Sequence, residues 1–302
     1  MSDWIISQVW SVFGAVSTSS YIQWYSSFMV ASLTSVGCPD MFVNLFRDCE
    51  RLSFVICTTI LLETIFWTFV TYYMVIINQW NLFGLKKYAI KNKAPYPTDK
   101  EISAACEDVV LNHFLIRPTI LLLVFPYIRS VLDFSTENLP NVWTIMWQFA
   151  FCMQVDDFFF YWGHRFAHHK LLYKYIHKRH HEFKHPIAIS VEWAHPLEDA
   201  LVNTFPTVVG SLVLRSHVLV FWLYVGCKLW QSIDAHSSFD LPFPFSPWSA
   251  VPAIGMDCSS AHHAHHSINT GNYGGFFSFW DWVCGTRIKL SSRATESAFK
   301  ET

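Results

Sequence analysis

The sequence is short of charge. Only 15% of its 302 residues are Asp, Glu, Lys or Arg, while 52% are hydrophobic. An average soluble domain is about 25% charged, so the deficit argues against an ordinary soluble domain and for an integral membrane protein. The net charge of −2 excludes a nucleic-acid binder driven by phosphate contacts. Eight cysteines are scattered without a C-x-x-C pair, which argues against a disulfide framework or a thiolate zinc site. No G-x-G-x-x-G opens a helix, so no dinucleotide site is evident. No basic stretch precedes an apolar core at the start of the chain, so insertion is expected to use the first membrane helix as its signal. Internal repeats and low-complexity tracts are absent too.

What is present is aromatic and apolar. Aromatic residues make up 18% of the chain, and Trp and Tyr gather at membrane interfaces. Residues 52–77 form the clearest span, with Glu63 as the one charge; a span needs about 20 apolar residues. Residues 109–132, interrupted at Arg117-Pro118 and bent at Pro126, pair with 141–162 as a helical hairpin around the Leu139-Pro140 turn. Residues 201–233, interrupted at Arg215-Ser216-His217, read as a second hairpin. Residues 1–40 are apolar but rich in Ser and Thr, and Trp4, Val9, Trp10 and Phe13 suit an interfacial helix. The lysines of the polar loop at 81–108 should face the cytosol, and the two hairpins then return the chain to that side. The expected fold is all-α: a polytopic membrane helical bundle of about four transmembrane helices, with a cytosolic histidine-rich di-metal cap. Its expected regions are an N-terminal apolar segment (1–50), transmembrane helices with a cytosolic loop (51–156), and a histidine-rich catalytic domain (157–302) that includes the hairpin at 201–233.

Three histidine clusters carry the chemistry: His164 and His168; His177, His180 and His181; His262, His265 and His266. Residues three and four apart share a helix face, so each cluster should aim its imidazoles one way. Lone histidines such as His113 and His217 read as structural. His195 and His236 stand between the clusters and complete ten candidate ligands. Ten exceed the four of one structural zinc and suit two metals with five each, leaving an open position on an octahedral ion. All-nitrogen sites accept zinc, copper, iron or nickel. Zinc would imply hydrolysis or storage, whereas a paired iron site at a membrane suits oxidation of a lipid C–H bond. Ligating histidines usually give their far N–H to a carboxylate or carbonyl. Asp157, Glu182, Glu198 and Asp234 are the candidate acids, Asp157 because it lies two turns before His164. His263 should point about 100° away from its neighbours on the helix and not ligate. Glu63, in mid-span, needs a partner inside the protein, and Arg117 is the candidate.

The arrangement H-x3-H, H-x2-HH, H-x2-HH on a membrane chain resembles the fatty acid hydroxylase superfamily, from roughly Asp157 to Arg287. Tyr175 to Phe183, Ala194-His195-Pro196-Leu197-Glu198, Gly271-Asn272-Tyr273, Trp280-Asp281 and Gly285-Thr286 look like the signature of its sterol C4-methyl oxidases, the methylsterol monooxygenases. Two stretches depart from that pattern. His236-Ser237-Ser238-Phe239-Asp240 stands for H-S-G-Y-[DE], and His262-His263-Ala264-His265-His266 stands for H-D-x-H-H. The resemblance implies an endoplasmic reticulum membrane enzyme with two histidine-bound iron ions on the cytosolic side. It implies oxidation of the C4 methyl group of sterol precursors by O2, with electrons from NADPH or NADH through cytochrome b5 or a reductase. Lys170, Lys174, Lys178, Arg179 and Lys184 would offer that acidic partner a basic surface, or simply set topology. Two alternatives stay open: another lipid C–H oxidase of the superfamily (a sterol side-chain hydroxylase, a sterol C5-desaturase or a fatty-acyl hydroxylase), and a non-catalytic metal-binding membrane scaffold.

Overall fold

The computed structural model describes residues 20–36, 38–91, 94–135, 137, 139–250 and 259–288. The expected interfacial helix around Trp4 to Phe13 lies outside the described residues. Among those described, the secondary structure is helical and no strand forms, apart from two isolated bridges, Ala89 with Phe239 and Asp133 with His217. The helices are α1 (Ser20–Ser35), α2 (Asp40–Asn44), α3 (Cys49–Thr71), α4 (Asp99–Leu111), α5 (Arg117–Val131), α6 (Val142–Ala167), α7 (Phe205–Leu214), α8 (Val218–Ala235), α9 (Ser259–Ile268) and α10 (Phe279–Val283).

Among the described residues, three helical stretches are long and apolar enough to cross a membrane: Cys49–Ile77, Asp99–Val131 and Pro196–Leu214. That is one fewer than the four expected. The expected span at 141–162 falls within α6, whose C-terminal part carries Asp156, Asp157, His164 and Arg165. The second span begins at Asp99, well before residue 109, inside what reads as a polar loop. Its start is a capping box: the Thr98 N–H donates to Glu101 Oε2 at 2.7 Å and the Glu101 N–H to Thr98 Oγ1 at 3.3 Å. This reciprocal pair satisfies two amides that the first helical turn leaves open. Arg117-Pro118 does not end the run, because a π-helical turn, Asn112–Ile116, precedes it. A π turn re-registers the backbone hydrogen bonds and so accommodates the N–H that proline lacks. The break at Arg215-Ser216-His217 does occur, between α7 and α8, with Arg215 at φ 51°.

The chain divides into two compact units. One comprises residues 1–64, 110–149 and 211–223. Its core is aromatic: Phe54 lies 5.4 Å from Phe125, 5.7 Å from Phe134 and 5.9 Å from Trp222, ring centre to ring centre. Glu63 is held there by His113, whose Nδ1 lies 2.8 Å from Glu63 Oε1. The expected partner, Arg117, sits four residues further on, one turn along the helix. The other unit comprises residues 65–109, 150–210 and 224–302. Its apolar core joins Phe66, Tyr73, Ile77, Ile189, Ile233 and Leu241. All three histidine clusters belong to this second unit.

Candidate metal centre

Nine histidines converge in two groups. His164, His168, His177, His181 and His265 form the first, and His180, His236, His262 and His266 the second; within each, the candidate ligand atoms lie within 4.8 Å of one another. His195, the tenth candidate, is not among them. It precedes the turn Pro196–Glu198 and its Nδ1 accepts the Leu197 N–H at 3.2 Å, so it caps a helix start.

The clusters do not each serve one group. His177 and His181 join the first group while His180 joins the second; His262 and His266 join the second while His265 joins the first. Helical geometry explains the split. At 100° per residue, i and i+4 differ by about 40°, whereas i+3 and i+4 are about 100° apart. An H-x2-HH segment therefore has two prongs: its first and last imidazoles stay together and the middle one swings to the neighbouring group. Two such segments, one leading into the His180–Glu182 turn and one on α9, feed both groups. The H-x3-H at the end of α6 adds two ligands to the first, and His236 after α8 adds one to the second.

The ring tautomers follow from the partners. The Nδ1 of His164 faces Tyr273 O at 3.0 Å, His180 faces Trp193 O at 3.3 Å, His236 faces Ser232 O at 2.8 Å, His265 faces Gly271 O at 2.7 Å and His266 faces Phe183 O at 3.2 Å. A carbonyl only accepts, so each of these Nδ1 atoms carries the proton and each Nε2 is a bare lone pair. Yet His236 Nε2 lies 3.2 Å from His180 Nε2, with no proton to place between them. In the first group, His168, His177, His181 and His265 form a closed quadrilateral of Nε2 contacts, 2.8, 3.0, 3.1 and 3.1 Å around its edge. The Nε2 of His164 is buried and has no hydrogen-bond partner. The lone pairs of His180 and His236, facing each other in this way, repel unless a cation sits between them.

The spacing also fits. An imidazole ligand lies about 2.0–2.1 Å from a first-row ion, so neighbouring octahedral ligands are about 2.8–3.0 Å apart and tetrahedral ones about 3.3–3.4 Å apart by the same lengths. The edges of the first group, 2.8 to 3.1 Å, lie nearer the octahedral spacing, and five ligands there would leave one position of an octahedral ion open for a reactant. Burial, followed by the repulsion of neighbouring imidazoles, holds these side chains neutral, as ligation requires. His168 is pushed down to about 4, largely by burial and then by His180. Burial also takes His180 down to about 4 and, with His180 beside it, His236 down to about 3. His164, His177, His181, His262, His265 and His266 are lowered well below the ordinary range for the same reasons.

The four candidate acids have different fates. Glu198 binds His177 Nδ1 at 2.7 Å and is buried. Asp157 does not reach a ligand: one of its oxygens accepts the N–H groups of Phe276 and Phe277 at 3.0 and 2.9 Å. Glu182 accepts the Trp193 indole N–H at 2.9 Å, and Asp234 accepts the Tyr73 hydroxyl. Sequence reasoning gave no role to Asp281. It accepts the N–H of Tyr273 at 3.0 Å, the N–H of Gly274 at 2.7 Å and the Thr286 hydroxyl at 2.7 Å. Asp157 and Asp281 thus pin the loop that presents the Gly271 and Tyr273 carbonyls to His265 and His164. Gly271 has φ +67°, and a Cβ there would meet Thr286 O at 2.6 Å, so the loop requires glycine at that point. A buried cation was also missed: Lys228 Nζ lies 3.4 Å from Asp156 and over the Phe160 and Phe276 rings.

Helices able to span a membrane and a cap of nine inward-facing histidines define a membrane oxidase of the histidine-rich, metal-dependent kind. Residues 149–286 match the fatty acid hydroxylase family model. The chain is 32% identical to a very-long-chain aldehyde decarbonylase (GL1-11) of Oryza sativa subsp. indica, over 68% of this chain and 76% of that protein. It is 32% identical to methylsterol monooxygenase 2-2 of Arabidopsis thaliana (67% of this chain, 74% of that one) and to methylsterol monooxygenase 1 of Gallus gallus (67% of each). No solved structure matches. The chain belongs to the fatty acid hydroxylase family.

Proposed function

We propose that the protein is a di-iron monooxygenase that oxidises the C4 methyl group of a sterol precursor with O2. The observation that carries this reading is the paired convergence of nine imidazoles, five in one group and four in the other, each offering a nitrogen to a common centre. His164, His168, His177, His181 and His265 would hold one iron, and His180, His236, His262 and His266 the other. Iron bound there supplies redox activation of dioxygen. The overall reaction puts one oxygen atom into a C–H bond and releases the other as water, consuming two electrons and two protons.

The chain's own residues prepare that chemistry. Backbone carbonyls hold five imidazoles with Nε2 inward, and Glu198 does the same for His177. A carboxylate on the far N–H makes the ligating nitrogen more electron-rich. The electrons come from NAD(P)H through a separate partner, cytochrome b5 or a reductase, because no dinucleotide motif is present. Lys170, Lys174 and Lys178 are exposed beside the second histidine cluster and suit an acidic partner. Arg179 is engaged in the fold, 2.9 Å from Asp108 and stacked over Trp193. The lysine distribution supports a cytosolic metal centre on an endoplasmic reticulum membrane.

Lipid analysis of cells lacking the protein tests the substrate. Accumulation of a 4-methyl or 4,4-dimethyl sterol is the expected result. The aldehyde decarbonylase activity named for the rice relative favours a second reading, a very-long-chain aldehyde substrate. Normal sterols with accumulated long-chain aldehydes would replace the first reading with the second.

A further inference from the structure

Behind the four-histidine group lies a hydrogen-bond relay that the chemistry above does not use. The Ser238 hydroxyl donates to Pro186 O at 2.6 Å, and its oxygen lies 2.9 Å from His263 Nδ1. Ser238 has one proton, and the carbonyl takes it. The His263 Nδ1 must therefore carry a proton and donate it to Ser238. His263 is 2% exposed, lies outside both ligand groups, and its Nε2 is buried with no hydrogen-bond partner.

The relay joins three segments that follow or carry candidate ligands: those of His180 and His181, of His236, and of His262 to His266. Pro186 follows the segment of His180 and His181. Ser238 lies two residues after His236. His263 sits on α9 between His262 and His265. Ser238 is at φ 60°, a left-handed conformation that side chains other than glycine rarely adopt. Its backbone is braced from the other side, where the Ile90 N–H donates to Ser238 O at 2.9 Å. The strained position is thus occupied by a residue whose hydroxyl makes both contacts. Ser238, together with Phe239, and His263 are also the substituted positions in the two stretches where the sequence departs from the pattern it resembles.

We propose that Ser238 and His263 are positioning residues that set the geometry of the His180, His236, His262 and His266 group, leaving the five-histidine group to its own anchors. The asymmetry follows from the contacts. His236 and His262 lie two and one residues from the relay and 3.0 Å from each other at Nε2. Trp193 O, Ser232 O and Phe183 O turn the rings of His180, His236 and His266, so the relay acts on the backbone that carries His236 and His262, whereas the first group is anchored by Gly271 O, Tyr273 O and Glu198. This inference rests on the reading of the two groups as metal sites. It does not depend on which metal is native.

Cobalt(II) titration of the metal-stripped full chain in detergent, followed by its visible absorption, reads the two groups separately. His263→Leu and Ser238→Ala should each weaken one binding phase by about 10–100-fold, the usual effect of losing a ligand-orienting partner, and leave the other phase unchanged. His263→Asn places an amide N–H where Nδ1–H was and should restore the weakened phase to near its wild-type affinity. Two unchanged phases in both Ser238→Ala and His263→Leu would overturn the relay. So would equal weakening of both phases, or failure of His263→Asn to rescue. A wild-type chain showing a single cobalt phase would instead overturn the paired-site reading and the relay's selectivity with it; loss of turnover alone touches neither.

Discussion

Of the four candidate acids, Glu198 is the one that touches a proposed ligand, 2.7 Å from His177 Nδ1. Glu198→Gln keeps the size and an acceptor oxygen but removes the carboxylate. Metal affinity of the five-histidine group should fall about 10–100-fold, read by metal titration, with the other group unaffected; an unchanged affinity would remove Glu198 from the site. His180→Ala and His265→Ala each take a nitrogen from a different group and should abolish turnover while the chain still inserts in the membrane. More than half the activity retained in both would sink the ligand assignment. His195→Ala should retain both metals, because His195 serves a helix start. These residues also show what a sequence can disclose. The clusters themselves are visible as spacing. The helix cap at His195 is not, because a capping imidazole and a ligating one look alike in a string. Asp157 was drawn toward His164 by a same-face argument, but its true partners are amides 119 and 120 residues away in the chain. Most of the groups that orient the imidazoles are carbonyl oxygens, which every residue has and no sequence marks.

At the scale of elements, the π turn Asn112–Ile116 brings His113 against Glu63 of α3. Leaving one member of a buried hydrogen-bonding pair without its partner costs about 1–3 kcal/mol, whereas replacing both with apolar groups of similar shape can be nearly neutral. Glu63→Leu and His113→Leu should therefore each lower unfolding stability in detergent, by about 1–3 kcal/mol on that scale. The double variant should recover most of the loss. Additive losses would show that the two do not act as a pair. The long apolar helix containing Glu63 was legible from composition. Its contact with His113 was not, since a lone histidine in an apolar run carries no mark of its partner. The start of the second span was legible in Thr98-Asp99-Lys100-Glu101, a capping-box spelling obscured by the lysines around it. The splitting of each H-x2-HH segment across two groups was also present in the spacing, as the difference between 40° and 100° of helix rotation.

Across the whole second unit, nine neutral imidazoles, seven buried and two half-buried, couple metal binding and folding to pH. Each has a folded value below the usual 6.5, so above pH 6.5 it is neutral in both folded and unfolded chains and costs nothing. As pH falls below 6.5 the unfolded chain takes up protons that the folded one refuses, down to about 4 for His168 and His180. Stability is thus fully present above pH 6.5 and is lost on acidification. The metal-free protein should show a flat melting temperature from pH 7 to 8 and a steep decline from 6.5 toward 4.5. A melting temperature that rises on acidification would contradict the neutral-imidazole assignment.

The identity and number of metals in the intact, purified protein test the central claim most directly. Element analysis of the full chain, isolated without added metal and normalised to protein, should give two iron per chain. One metal per chain, or two zinc with no O2-dependent oxidation of a C4-methyl sterol, would contradict a di-iron oxidase.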